Sequence, residues 1–157
     1  MSSLLWNLAL TLAWVAVTGD LSAGNLFLGF GIGFLVLFFT APILGRPAYV
    51  RKVIQVLNLA LFFVWELILA NLRVAYEVLT PGYQLRPGVI ALPLDARTDA
   101  EILLLTTLIT LTPGSFSLDV SADQHELYLH AMYIDDPDKV RRQIKEGFER
   151  RVLEVLR

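Results

Sequence analysis

Residues 26–44 read LFLGFGIGFLVLFFTAPIL, an apolar run without a charged side chain. Because a helix needs about 20 apolar residues to cross a hydrocarbon core of about 30 Å, this run is predicted to span a membrane. Gly29 and Gly33 form a GxxxG pattern, which lets a second helix approach closely. We interpret these two glycines as a candidate subunit interface, although glycine is also simply frequent in membrane helices. Pro42 and the Gly45-Arg46-Pro47 run are predicted to end the helix.

Two further apolar runs flank this segment. Residues 4–17 form a shorter run, which is a tilted short span, a re-entrant piece, or a span completed by its flanks. Residues 53–79 form a longer run, whose part 53–72 is long enough to cross a bilayer. The N-terminal part is therefore predicted to be a membrane region of two to three helices.

Charge is distributed unevenly along the chain. Residues 1–45 contain one charged side chain, Asp20, whereas charges recur every few positions from Arg86 onward. This asymmetry indicates a lipid-embedded first part and a water-facing last part. The net charge of −2 argues against a nucleic-acid partner, and the absence of cysteine excludes disulfides and thiolate chemistry.

The third apolar run carries a polar stripe. At 100° per residue, Gln55, Glu66 and Arg73 lie within about 20° of one another, with Asn58 and Glu77 beside them. Such a stripe should face protein or water, because a charge that faces lipid at mid-bilayer is costly. Glu66 can be protonated, line an ion path or fix docking to a neighbouring subunit. We favour docking, because a single carboxylate makes a poor proton relay.

The C-terminal part is predicted to be a small α+β domain of order β-α-β-β-α. Residues 89–94 form a strand whose Pro93 suggests an edge, and Thr98 to Glu101 form a capping box that opens a helix ending near Leu111. Alternating residues 115–121 indicate a strand with Phe116, Leu118 and Val120 on one face and a wet opposite face. Residues 126–134 complete a hairpin. The last helix begins with Asp136 as N-cap and Pro137 in its first turn.

The last helix is predicted to be amphipathic. Its apolar face consists of Val140, Ile144, Phe148, Val152 and Val155, and its charged side chains, Glu149 among them, fill the other face. The domain boundaries that follow are a transmembrane helical region at 1–80, a linker at 81–88 and a soluble domain at 89–157.

No combination of residues predicts catalysis. His125 lies in a predicted turn and His130 in a predicted strand, and neither has carboxylates at metal-ligand spacing. Ser115 and Ser117 lack an evident base. We therefore expect no enzyme activity, no cofactor and no metal site.

Three stretches together resemble the E subunit of the Mrp-type multisubunit Na+/H+ antiporters. They are residues 65–79 (WELILANLRVAYEVL), 109–115 (ITLTPGS) and 127–134 (LYLHAMYI), and the resemblance covers nearly the whole chain. The most specific pieces are the Glu66-bearing helix and the turn formed by Thr110, Thr112, Pro113 and Gly114. Ser115 stands where the family usually has threonine.

The resemblance implies an accessory, non-catalytic subunit of an antiporter that exchanges cytoplasmic Na+ for external H+. In that family the large subunits, which are related to respiratory complex I, carry the ion-translocating machinery. The E subunit is expected to support assembly and stability. Its partners would be the other membrane subunits and the lipid bilayer, and its location would be the plasma membrane, as a multi-pass protein with a cytoplasmic C-terminal domain.

The basic loop after residue 44 leaves the topology open. With three spans and a cytoplasmic C-terminus, Arg46, Arg51 and Lys52 would lie outside, against the positive-inside tendency. The third helix then lies along the interface, or the first segment is re-entrant, or the last domain lies outside. A different functional class also stays open, in which the chain is a membrane-anchored module whose C-terminal domain captures a soluble partner.

Overall fold

The computed structural model describes residues 3–44, 47–80 and 86–157. Its architecture is a helical N-terminal part followed by a small α+β part with a three-stranded antiparallel sheet, in agreement with the coarse fold class predicted above. The chain divides into two compact units, Met1–Ile54 and Gln55–Arg157. The predicted turns at Gly45-Arg46 and at residues 81–85 lie outside the described residues.

The first unit contains two helices and the start of a third. Helix α1 spans Ser3–Thr18 and α2 spans Ala23–Leu44. At 1.5 Å per residue, α1 is about 24 Å long, shorter than a bilayer core, and α2 is about 33 Å long. In the turn between them Asp20 accepts a hydrogen bond from the Ser22 backbone N–H at 2.8 Å, and Gly19 has a φ of +69°. This left-handed conformation favours glycine.

Helix α3 spans Pro47–Leu79 and crosses the boundary between the two units. In the described part of the chain, two helical stretches are long and apolar enough to cross a membrane on length and composition alone, Ala23–Thr40 and Tyr49–Leu79. The apolar stretch Leu4–Thr18 is shorter.

The α+β part begins with β1 (Gly88–Pro93), followed by α4 (Asp99–Leu111), β2 (Ser115–Val120) and β3 (Glu126–Ala131). The strand order is β1-β3-β2, and both pairs are antiparallel. The predicted hairpin between β2 and β3 is confirmed, and β1, which contains Pro93, lies at an edge as expected.

Helix α4 packs on one face of the sheet. Its capping box is confirmed, because the Thr98 side chain accepts from the Glu101 N–H and the Glu101 carboxylate accepts from the Thr98 N–H. Fully buried side chains from the sheet, α4 and the last helix form the core, since removing their apolar surface from water is the main favourable term in folding. They are Leu92, Leu105, Ile109, Leu127, Leu129 and Val152.

The predicted facing of β2 is wrong. Phe116 and Leu118 are half-exposed, while Ser115 and Ser117 turn toward α4 and donate hydrogen bonds to its carbonyls at 2.8 and 3.2 Å. The register shifts between Ser117 and Asp119, which marks a β-bulge. Because a bulge inserts one residue into one strand, the two-residue alternation does not continue through it, and Val120 alone packs against the core.

The last helical run has three segments, α5 (Pro137–Ile144), a π turn (Lys145–Glu149) and α6 (Arg150–Leu156). Asp136 is the N-cap, as predicted. The predicted place of Glu149 on the solvated face is wrong, because this side chain is fully buried. Glu149 is the last residue of the π turn, where the wider hydrogen-bond spacing departs from the 100° per residue assumed above, and it lies in the interior beside Phe148.

Candidate functional site

The second half of the polar stripe of α3, which carries Glu66, Arg73 and Glu77, faces the α+β domain. Leu59, one turn before Phe62 and Phe63, belongs to the same hydrophobic core cluster as the sheet and α4. At 100° per residue, Glu66, Arg73 and Glu77 lie within about 40° of Leu59. These three residues therefore lie on the side of α3 that packs on the α+β domain.

An aromatic contact holds the first half of this interface. Phe62 packs edge-on against Phe148 with ring centroids 5.1 Å apart, and the Arg151 guanidinium lies 3.9 Å from the centre of the Phe62 ring. A Cβ atom at Gly147 would lie 2.9 Å from Phe62, so glycine is needed there for the close approach. The π turn supplies both Gly147 and Phe148.

Tyr133 holds the second half of the interface. Its hydroxyl donates a hydrogen bond of 2.7 Å to the Glu77 carboxylate, and Arg73 lies 5.3 Å from the centre of its ring. Burial, together with the hydrogen bond to the negatively charged Glu77, raises the pKa of Tyr133 above its usual value of 10.0. The phenol therefore stays protonated and able to donate at any physiological pH.

The family-motif turn, residues 110–115, connects α4 to β2 and positions Tyr133. The Thr112 N–H closes α4 by donating to the Ile109 carbonyl, and the Gly114 carbonyl accepts from the Met132 N–H at 2.9 Å. Gly114 has a φ of +90°, and a Cβ there would lie 3.0 Å from the Tyr133 ring. Both its backbone conformation and its lack of a side chain therefore suit this position.

Hydroxyl groups brace the same turn. The Ser115 hydroxyl donates to the Ile109 carbonyl at 2.8 Å, and the Thr112 hydroxyl donates to the Leu108 carbonyl at 2.9 Å. The Thr110 hydroxyl accepts from the Ser117 N–H at 3.2 Å. The bond from Thr112 reaches a carbonyl of the last helical turn, and the bond from Ser115 gives the Ile109 carbonyl a second donor beside the Thr112 N–H.

A groove of about 550 Å³ joins the stripe and the turn. Glu66, Arg73 and residues 112–115 of the turn all line it, together with Tyr133, Arg150 and Arg151. Among the described residues, Glu66 has no hydrogen-bond or ion-pair partner, and it is half-buried. Of the predicted stripe, Gln55 and Asn58 do not line this groove, and Asn58 is exposed.

The GxxxG glycines lie in the first unit, against α1 of the same chain. A Cβ at Gly29 would lie 2.9 Å from the Trp14 side chain, and one at Gly33 would overlap the Asn7 side-chain oxygen and lie 3.2 Å from the Leu10 Cβ. The two glycines thus permit close packing of α1 on α2. Their predicted role in contacts with other subunits stays a prediction.

Polar side chains of α1 donate hydrogen bonds to α2 and to the start of α3. Asn7, fully buried, donates to the Tyr49 hydroxyl at 3.0 Å, and the Trp14 indole N–H donates to the Asn25 side chain at 2.8 Å. In the sequence, Asn7 stands out only as an interruption of an apolar run. A polar residue in such a run indicates a buried face, because lipid offers it no hydrogen-bond partner.

The histidines do not form a metal site in the part of the chain that the structure describes. His125 lies in the exposed turn before β3, and His130 lies within β3, opposite Val89 and Phe116. Across residues 3–44, 47–80 and 86–157, no group of three or more His, Asp or Glu side chains could hold a metal ion.

These features define a class of protein. It has an apolar helical hairpin, a long third helix, and a C-terminal α+β domain that packs on the third helix. The sequence matches the family described as "MNHE: Na+/H+ ion antiporter subunit" over residues 7–155. It is 39% identical to the E subunit of the Na(+)/H(+) antiporter of Bacillus subtilis (strain 168) over 154 residues, 98% of each chain. It is 36% identical to the corresponding antiporter subunit of Alkalihalophilus pseudofirmus, again over 98% of each chain.

Solved structures give the same relationship. A chain in the structure of the Mrp complex from Dietzia sp. matches with a TM-score of 0.50 and 28% identity, over 62% of this chain and 92% of that one. A chain of the membrane-bound sulfane sulfur reductase, an archaeal respiratory membrane complex, matches with a TM-score of 0.58 and 26% identity, over 96% of both chains.

The chain belongs to the E-subunit family of Mrp-type Na+/H+ antiporters, which confirms the resemblance seen in the sequence. It is a membrane protein, and its relatives are subunits of a transporter complex rather than classical enzymes.

Proposed function

We propose that the chain is an accessory, non-catalytic subunit that supports the assembly and stability of a multisubunit Na+/H+ antiporter, and thereby monovalent cation/proton exchange. In this proposal it is a multi-pass protein of the plasma membrane. Residues 1–80 form its membrane-bound helical region, 81–88 a linker and 89–157 a cytoplasmic domain. Its partners are the other membrane subunits of the complex.

The observation that carries this proposal is the position of Glu66. Its carboxylate lines the groove between α3 and the family-motif turn, and within the described residues it lacks a partner. A half-buried carboxylate is costly unless a hydrogen-bond donor reaches it. A donor from a neighbouring subunit would satisfy Glu66 and fix the register of docking. Gln55 and Asn58, on the earlier turns of the same helix, are proposed to contribute polar contacts to that docking.

The Arg73–Tyr133–Glu77 cluster supports a structural role for the other polar groups of the stripe. Arg73 and Glu77 are both engaged with Tyr133 of the same chain. They hold the second half of α3 on the α+β domain, which keeps the groove in one shape. A preformed groove lowers the ordering cost of binding a partner.

The test is purification of the tagged complex from native membranes in mild detergent, with mass identification of the co-purifying subunits. The matched pair is Glu66→Leu and Glu66→Gln. We expect Glu66→Leu to lose the complex, and Glu66→Gln, which retains hydrogen-bonding capacity, to retain both assembly and exchange. Exchange is measured in everted vesicles.

Two results would contradict the proposal. If Glu66→Gln assembled normally but abolished exchange, Glu66 would take part in ion transfer. If the wild-type chain purified alone or with one soluble protein, the chain would be an anchored binding module instead.

A further inference from the structure

The groove that Glu66 lines continues past Arg73 into a second cavity. That cavity has a volume of about 350 Å³, and we call it the polar pocket because Glu77, Asp135 and Lys139 line it. Its walls share four residues with those of the groove: Arg73, Tyr133, Val140 and Gln143. The groove and the polar pocket therefore form one continuous cleft between α3 and the α+β domain.

The cleft is long enough to hold a segment of polypeptide. It follows α3 from Phe62 to Thr80, and 18 residues at 1.5 Å each give a length of about 27 Å. Residues 136–151 of the last helical run form the opposite wall. A length of about 27 Å corresponds to about eight residues of extended chain or about 18 residues of helix.

The middle of the groove is apolar. Leu69 and Ala70 line it from α3, and Ile144 lines it from the domain. Leu69 is 39% exposed, although it lies between Phe62 and Arg73, which both contact the domain. An apolar side chain of a partner would be removed from water at this point, between the two contacts that hold α3 on the domain.

The three arginines that line the groove already have partners in this chain. Arg73 lies 5.3 Å from the centre of the Tyr133 ring. Arg150 pairs with Glu154 at 3.8 Å, and Arg151 donates to two backbone carbonyls of the π turn. The positive charge of the groove is therefore used in contacts within the chain.

The carboxylates of the groove have no such partners. Glu66 is half-buried and Glu146 is exposed, and neither forms a hydrogen bond or an ion pair within residues 3–44, 47–80 and 86–157. The polar pocket shows the reverse, because Asp135 pairs with Arg86 at 3.3 Å while Lys139 has no partner in the described parts of the chain. The unbalanced charge of the cleft is thus negative in the groove and positive in the polar pocket.

We propose that the cleft binds a segment of a neighbouring subunit, with a lysine or arginine of that segment at Glu66 and Glu146 and an acidic side chain at Lys139. Apolar residues between these two charges contact Leu69 and Ala70. A lysine or arginine suits the groove because its aliphatic stem packs on an apolar wall while its charge reaches a carboxylate. This inference rests on the function proposed above and adds the chemistry of the partner.

The positions of the unpaired charges set the spacing of the charges in the partner. Glu146 follows Lys139 by seven residues, or about 10 Å of helix, and Glu77 in the polar pocket follows Glu66 by 11 residues, or about 16 Å. A separation of about 10–16 Å corresponds to about three to five residues of extended chain or about seven to eleven residues of helix. We expect the basic and acidic residues of the partner segment to have one of these spacings.

Charge reversal in the tagged complex, purified from native membranes in mild detergent, tests this assignment. Glu66→Lys places a positive charge against the basic residue of the partner, so we expect the yield of co-purifying subunits to fall about tenfold or more. Glu146→Lys and Lys139→Glu change exposed groups, and each should lower the yield about two- to fivefold. Glu126→Lys changes an exposed carboxylate outside the cleft and should leave the yield unchanged.

Normal yield of the Glu66→Lys complex would overturn the cleft assignment while leaving the accessory-subunit proposal in place. Purification of the wild-type chain alone would instead remove both. The two failures are therefore distinguishable in one experiment.

Salt dependence separates an ion pair from a neutral hydrogen bond at Glu66. Because salt screens charges, the wild-type chain should be released from the complex as the salt concentration rises. Glu66→Gln still accepts a hydrogen bond but carries no charge, so its complex should assemble and lose most of this salt dependence. Equal salt dependence of the two complexes would overturn the basic partner residue.

Photocrosslinking of the full complex identifies the occupant of the cleft. A diazirine analogue of leucine in place of Leu69 changes the size of that side chain little. We expect light to join it to a peptide of another subunit in which a basic and an acidic residue have the spacing given above. A crosslink to phospholipid alone, or to a segment without a basic residue, would overturn the proposal. The same analogue in place of Leu103, which is 68% exposed on α4, is the control and should not join that peptide.

Discussion

The α1–α2 hairpin and the α+β domain bury opposite kinds of side chain. In the hairpin, Asn7 and Thr11 are among the most buried residues, whereas Phe27 and Phe39 are 80% and 72% exposed. In the α+β domain, leucine, isoleucine and valine fill the interior and lysine and arginine cover the surface. Each region places its apolar groups where its own surroundings are least polar, lipid for the hairpin and the interior for the domain.

The two regions also treat buried polar groups differently. The hairpin buries neutral groups, an amide and a hydroxyl, which need few partners. The domain buries two carboxylates, Glu101 and Glu149, each surrounded by backbone N–H groups and a cationic side chain. Charge is tolerated where several donors converge on it, and the predictions below test how far each region depends on its buried polar groups.

Glu149→Ala is expected to have the largest effect. The carboxylate accepts from the Asp95 and Ala96 N–H groups at 2.6 and 3.0 Å and pairs with Lys145 at 2.7 Å. Its removal leaves the two N–H groups and the Lys145 ammonium without this acceptor. We expect the free energy of unfolding to fall by about 3–5 kcal/mol. Hydrogen–deuterium exchange, measured on the full chain in detergent, should become faster in β1 and in the segment after it.

Glu146→Ala is the matched control for this change, because Glu146 occupies the same π turn but is exposed. We expect an effect within about 0.5 kcal/mol. Equal effects of the two variants would mean that the π turn, rather than the buried carboxylate, determines stability.

Gly33→Leu tests the hairpin in the corresponding way. A side chain at Gly33 meets Asn7 and Leu10, whereas one at Gly31, two residues away on α2, meets open space. Overpacking costs about 1–3 kcal/mol, so we expect Gly33→Leu to lower the yield of assembled complex several-fold. Gly31→Leu should leave it unchanged. If both variants reduced the yield equally, α2 would meet other subunits on both sides, and the glycines would not act through α1.

Lowering the pH tests how much the ionised Glu101 carboxylate contributes to the stability of the domain. The Arg157 guanidinium, with the Arg97 and Thr98 N–H groups, lowers the pKa of Glu101 from 4.5 to about 2. A depressed pKa contributes stability that is complete above the unfolded value and is lost as the pH falls toward the folded value. The domain should therefore lose stability between pH 4.5 and about 2, with Glu101 contributing to the slope.

Glu101→Gln should flatten that slope and cost about 2 kcal/mol at neutral pH, since the charged hydrogen bonds are lost. Thermal unfolding of the full chain followed by circular dichroism measures both effects. Glu126→Gln, which removes an exposed carboxylate, serves as the comparison. An unchanged slope in Glu101→Gln would assign the acid sensitivity to other groups, such as the Asp95–Lys145 pair.

Local signals in the sequence predicted the elements of the α+β domain well. The capping box at Thr98, the Asp136 cap and the β2–β3 hairpin all depend on neighbouring residues, and all are confirmed. The bulge after Ser117 and the π turn before Arg150 were not predictable, because each inserts a residue without a distinctive composition. A prediction that assumes a regular strand or helix period assigns side chains near these two irregularities to the wrong face. This explains why Phe116 was predicted to face the core and Glu149 to face solvent.

The candidate site was predictable in its residues but not in its assembly. The stripe on α3 and the family-motif turn both stand out in the sequence, yet they are separated by about 40 residues and nothing local relates them. Tyr133, which contacts both, belongs to the stretch 127–134 that carries the resemblance, but nothing in the sequence relates it to α3. Contacts between residues so far apart in the sequence cannot be predicted from periodicity, because periodicity describes one helix or strand at a time.

Tyr133→Phe tests the contact between α3 and the α+β domain. We expect this substitution to have the smallest effect of those considered. The change removes the hydroxyl that donates to Glu77 but keeps the ring that contacts Arg73 and Gly114. Loss of one hydrogen bond to a partly buried carboxylate costs about 1 kcal/mol, or about fivefold faster exchange of the second half of α3. Tyr128→Phe is the control, because its hydroxyl donates to the exposed Glu126 instead. If Tyr133→Phe left α3 unchanged while Phe62→Ala released it, the aromatic contact at the π turn would be the main attachment of α3, and the family motif would serve the sheet alone.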